Sequence, residues 1–158
     1  MVLPKRIVFT QDGYEDLLKE QERLEQQRPA AVDELKRARD LGDLSENGAY
    51  RAARSKLSSI DSRLRRLKKI QDQAIINTQP FTGRVDIGCS VSIGNNNQSQ
   101  TYHIVGSFES NLSQNKISCF SPVGKTLMGK RKGQTVRILT PSGVKEYLIE
   151  DVRSSKQT

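Results

Sequence analysis

The sequence predicts an α+β chain: an N-terminal antiparallel coiled-coil helical hairpin followed by a small antiparallel β domain with one short helix. Three observations predict it. Gly and Pro are unevenly placed, residues 1–78 holding only three of the 11 Gly and two of the five Pro. Apolar residues in that first half recur at 3-4 spacing, as the seam of paired helices requires. The second half shows short alternating runs between turn formers instead. The boundaries that follow are a hairpin over 1–78 with an acidic tip near 42–48, a second domain over 79–153, and a polar tail over 154–158.

Thr10 is the expected N-cap of the first helix, and Asp12, Glu15 and Asp16 suit its positive end. The first seam runs Tyr14, Leu17, Gln21, Leu24, Arg28, Ala31, Leu35, Ala38. The second runs Tyr50, Ala53, Leu57, Ile60, Leu64, Leu67, Gln71, Ala74. Pro29 interrupts the first helix and is expected to bend it locally. The short link from Gly42 to Gly48 favours antiparallel arms, each roughly 45 Å long at about 30 residues. Charge agrees with the pairing: residues 12–46 carry 11 acids and six bases, whereas residues 49–78 carry eight bases and two acids.

In the second half Cys89–Ile93, Thr101–Phe108, Lys116–Phe120, Thr135–Leu139 and Val144–Asp151 read as strands. Asn95–Gln100 reads as a polar hairpin loop, and Pro141-Ser142-Gly143 as a tight turn. Ser121-Pro122-Val123 opens the short helix, with Ser as N-cap, Pro at the first helical position and Gly129 at the far cap.

Composition removes several chemistries. One histidine, His103, supplies no His-rich metal site, and Cys89 and Cys119 lack CxxC spacing. The two cysteines read as small buried residues of a reducing compartment. No GxSxG occurs, and the Walker-like run from Gly124 to Lys130 places Arg131 where the Mg²⁺-binding hydroxyl belongs. No apolar run is long enough to span a membrane, and Met1 to Thr10 is too short for a signal peptide. A cytoplasmic protein is expected. The net charge of +8 suggests an acidic partner, either DNA or RNA bound directly or a negatively charged protein surface; it is equally accounted for by solubility alone.

The tip reads Gly42-Asp43-Leu44-Ser45-Glu46-Asn47. Asp43 and Glu46 match a D-x-x-E capping box for the second helix. They equally match two hard oxygen ligands for Mg²⁺, which needs only one or two protein carboxylates when other groups complete its octahedron. Two exposed acids make no tight site alone, but they could complete one inside a partner.

This hexapeptide, followed by Tyr50 and Ala52-Ala53, resembles the tip signature of the bacterial Gre transcript-cleavage factors of GreA/GreB type. Further matches are Leu3-Pro4 through Thr10 and Gly13, Arg28-Pro29, Ala38-Arg39, Ser121-Pro122-Val123-Gly124-Lys125 to Gly129-Lys130, Thr140-Pro141-Ser142-Gly143 and Glu146-Tyr147. The resemblance implies an FKBP-like second domain that docks on bacterial RNA polymerase while the hairpin enters its secondary channel. It implies that Asp43 and Glu46 help hold a Mg²⁺ shared with the polymerase active centre. No cofactor is then bound by the factor alone. The polymerase's own activity cuts the 3′ end of backtracked RNA, so the factor is an accessory and not itself an enzyme. Ser45 and Asn47 become candidate orienters of the tip or substrate, and a monomer is expected. Gly48 and Ala49 depart from the family pattern, which keeps a non-cleaving secondary-channel regulator of the same fold as the alternative. Arg51 and Arg54, one helical face at i, i+3, are candidate RNA contacts, the alternative being a solvated charged face that balances the acids of the first helix. A peptidyl-prolyl isomerase reading fits poorly, because the second half has little aromatic content for a proline pocket.

Overall fold

The structure is a computed structural model and describes residues 6–41, 47–96 and 98–154. The elements run β1 (Ile7–Phe9), α1 (Gln11–Asp40), α2 (Gly48–Gln73), β2 (Ala74–Ile76), β3 (Cys89–Asn95), β4 (Gln98–Val105), a 3-10 turn (Leu112–Gln114), β5 (Lys116–Ser118), α3 (Pro122–Leu127), β6 (Thr135–Thr140) and β7 (Gly143–Ser154). Two compact units result. One is Glu15–Gln73, and the other joins the chain up to Tyr14 with the chain from Ala74 onward. No helix among the described residues is long and apolar enough to cross a membrane.

In the helical unit, burial follows one half of each predicted seam. Leu17, Leu24, Ala31 and Ala38 of α1 are buried, as are Ala53, Ile60 and Leu67 of α2. Both sets repeat every seven residues. Arg28 is exposed and Gln71 is half-buried; burial passes to Ile70, an apolar neighbour of Gln71. The arms are antiparallel and cross-braced by charge. Arg63 Nε and Nη2 donate to the Glu20 carboxylate at 2.7 and 2.8 Å. Arg28 Nε donates to Asp61 Oδ1 at 2.7 Å, and Lys56 Nζ to Glu34 Oε2 at 2.6 Å. α1 continues through Pro29 as one helix. α2 stops at Gln73, so Ala74 opens a strand where the heptad predicted helix.

That strand was not legible in the sequence. β2 pairs in parallel with β1, Val8 opposite Ile75. Thr10 caps α1 as predicted, its Oγ1 accepting from Gly13 N–H at 3.0 Å. The same hydroxyl donates to Glu109, whose other oxygen accepts from Thr10 N–H at 2.9 Å and Gly106 N–H at 3.1 Å. A side chain on Gly13 would run into the Glu109 carboxylate, and one on Gly106 into the Val8 carbonyl. Phe9, 2% exposed, stacks on Phe108 at 6.4 Å between ring centroids.

The main sheet has the order β5-β4-β3-β7-β6. It is antiparallel except at one edge, where β5 joins β4 in parallel. The sequence predicted antiparallel pairing throughout; three residues are too few to signal direction. The Asn95–Gln100 loop is shorter than predicted, because Asn95 and Gln98 are already a ladder pair. Asn96 takes the left-handed φ of +46° that Asn tolerates. Ser154 belongs to β7, paired with Cys89, and not to the tail; 155–158 lie outside the described residues. The core gathers residues such as Val91, Ile104, Leu127, Val136 and Ile149, with the free thiols of Cys89 and Cys119. Burial pushes both thiols above their ordinary pKa.

α3 opens as predicted, but its C-cap is Met128, one residue before the predicted Gly129. Ser121 Oγ accepts from Gly124 N–H at 2.9 Å, Pro122 opens the helix, and Gly129 follows it at φ +74°. A Cβ on Gly124 would overlap the Ser118 carbonyl. The two glycines of the Walker-like run therefore serve helix packing and termination.

Candidate functional site

The candidate site lies where α1 hands the chain to α2. Asp43, Ser45 and Glu46 lie outside the described residues. Asn47 lies within them, and its side chain bonds to both arms. Asn47 Oδ1 accepts from Tyr50 N–H at 3.1 Å, and its carbonyl accepts from Arg51 N–H at 3.2 Å. That is N-cap geometry, with the bond to the third helical residue. Asn47 Nδ2 donates to the Ala38 carbonyl at 2.9 Å. Ala38 O is among the last four carbonyls of α1, which have no partner inside the helix. One amide thus satisfies a free donor of α2 and a free acceptor of α1.

This corrects the capping box read from the sequence. α2 begins at Gly48, so its N-cap is Asn47 and not Asp43. The signal for Asn47 was present, since Asn is among the preferred N-cap residues. It was overshadowed by the D-x-x-E spacing one turn earlier. With the cap supplied by Asn47, the start of α2 does not call on Asp43 to cap it.

Arg51 and Arg54 follow on the exposed side of α2, off the buried line of Ala53, Ile60 and Leu67. Neither is in an ion pair among the described residues. Further along the same helix Lys56 and Arg63 are spent on Glu34 and Glu20. The basic arm therefore divides into cations that brace α1 and cations that do not. The hydrogen bond from Arg63 holds the Glu20 carboxyl below its ordinary pKa, and that from Arg28 does the same for Asp61.

The comparisons decide the family. The model described as "Transcription elongation factor, N-terminal" matches residues 7–76, and "Transcription elongation factor, GreA/GreB, C-term" matches residues 79–154. The chain belongs to the GreA/GreB family of transcription elongation factors. The transcription elongation factor GreA of Neorickettsia sennetsu is 39% identical over 150 residues, covering 92% of this chain and 94% of that one. GreA of Paracoccus denitrificans is 35% identical over 153 residues, covering 94% and 98%. The solved structure of the transcription factor Gfh1 covers 96% of this chain and 100% of its own, with 25% identity and a TM-score of 0.48. In this GreA/GreB chain Gly48 opens α2 with open space where a Cβ would stand. Packing therefore does not require glycine at this position.

Proposed function

We propose that this chain is a transcript-cleavage factor of bacterial RNA polymerase. Its hairpin enters the secondary channel, and its tip acids stimulate the polymerase's own cleavage of backtracked RNA. The observation that carries the reading is the Asn47 brace. It holds the two arms together on either side of Asp43 and Glu46 and supplies the cap of α2 itself. The donor set of two carboxylates fits Mg²⁺, a hard cation content with one or two protein oxygens. Asp43 and Glu46 would hold the shared ion against the polymerase active centre, with Ser45 orienting the tip. Bound there, Mg²⁺ would supply an activated water and neutralise charge at the scissile phosphate. Arg51 and Arg54, exposed and off the seam, would draw the extruded RNA towards those acids. The β domain would do the docking.

The test is purified protein added to stalled, backtracked polymerase complexes. The wild type shortens the RNA. Asp43→Ala and Glu46→Ala still compete for polymerase but do not shorten it. Full cleavage by a folded double variant removes the tip acids from the chemistry. A wild type that slows elongation without cutting selects the non-cleaving regulator.

A further inference from the structure

We propose that the β domain carries a second nucleic-acid contact, a single-strand site in which Arg84 and Arg131 grip a phosphate and Phe81 stacks on a base. Arg84 and Arg131 stand 47 positions apart in sequence but face each other directly in an antiparallel bridge. Directly opposite residues project to the same face, with Cβ atoms about 4.5–5.5 Å apart, and like charges there oppose folding. The pairing is held by backbone next to it, at Val85: Val85 N–H donates to Lys130 O, and Gly129 N–H to Val85 O, each at 2.8 Å. Both arginines are exposed, and neither is in an ion pair among the described residues. Asp151 is engaged by Arg153 and Lys132. Asp86 turns one carboxylate oxygen to the Ile87 N–H at 2.7 Å. The fold thus sets two arginines opposite each other, with neither in an ion pair among the described residues.

A second observation favours nucleic acid over an acidic peptide. Arg84 borders a cavity of about 240 Å³ whose walls include Pro80, Phe81 and Ile87. Phe81 is 42% exposed. A guanidinium pair beside an open aromatic face matches a phosphate followed by a base. A run of carboxylates has no planar ring to offer Phe81.

The test uses the full chain with Arg51→Ala and Arg54→Ala already introduced, so that the RNA contact proposed for α2 is removed from both arms of the comparison. Labelled ten-residue oligouridine RNA and oligothymidine DNA are titrated by fluorescence anisotropy across a salt series, with polyglutamate as competitor. Adding Arg84→Ala and Arg131→Ala should weaken both oligonucleotides about tenfold and reduce the salt slope by about 0.7, the value for one phosphate on a single strand. Phe81→Ala should weaken binding about fivefold or more with the slope unchanged. Equal loss for RNA and DNA assigns the site to phosphate and base, and a larger loss for RNA adds a 2′-hydroxyl contact. The double arginine variant should also melt at a higher temperature, since an opposed like-charge pair is removed; a purely structural role would lower it. Wild-type affinity in that variant at every salt concentration, or displacement of the oligonucleotides by polyglutamate at equal charge, would overturn the site.

Discussion

Asn47 concentrates two jobs in one amide, and its variants separate them. Asn47→Asp keeps the acceptor for Tyr50 N–H and loses the donor to Ala38 O. Asn47→Ala loses both. The alanine variant should lose about 1–2 kcal/mol in urea unfolding, and the aspartate variant less, since an acid at a helix N-terminus is favourable. If bracing matters for cleavage, the aspartate variant stays folded and cuts poorly. Gly48→Ala provides the opposite case. Its Cβ meets nothing and φ is not left-handed, so it should stabilise by about 0.4–1 kcal/mol without loss of polymerase binding. The buried thiols, pushed up by desolvation, should resist alkylation until the domain unfolds; rapid native labelling of Cys89 or Cys119 would contradict their placement. At this scale the sequence revealed what a single short window contains, such as Ser121-Pro122 and Thr10. It did not reveal that Arg84 meets Arg131, because only the folded topology brings them together.

The heptads disclosed both arms, since a long periodic pattern accumulates signal over many residues. The three-residue strands β1, β2 and β5 carry no such pattern. Their pairing is decided by what lies beside them. The ion pairs between the arms give the helical unit a defined acid limb. Glu20 and Asp61 have pKa values depressed by Arg63 and Arg28, so their contribution is present above the ordinary carboxylate pKa and lost as pH falls through the folded value. Because the pairs are largely solvent-exposed, each contributes modestly. The melting temperature of the wild type should therefore fall more steeply below about pH 5 than that of Glu20→Gln, Asp61→Asn. Parallel curves would show that the braces do not stabilise the arms.

For the whole molecule, the composition break placed the boundary at 78/79, whereas the units divide between Gln73 and Ala74 and the chain up to Tyr14 returns to the second unit. That return depends on Glu109, 99 positions from Thr10. A fragment of 79–158 retains all five main strands and α3. It should fold, melt below the full chain because Glu109 and Phe108 lose Thr10 and Phe9, and compete for polymerase without supporting cleavage. The tip acids were legible as a motif, yet the role proposed for them needs a partner to supply the rest of the site. The most direct measurement is a Mg²⁺ titration of transcript cleavage in backtracked polymerase complexes, with wild type and Asp43→Asn, Glu46→Gln at saturating factor. If the acids hold the shared ion, the wild type lowers the Mg²⁺ concentration for half-maximal cleavage relative to polymerase alone, and the double variant, still bound, returns it to the factor-free value. An identical Mg²⁺ requirement for wild type and double variant, both stimulating cleavage, would contradict the account.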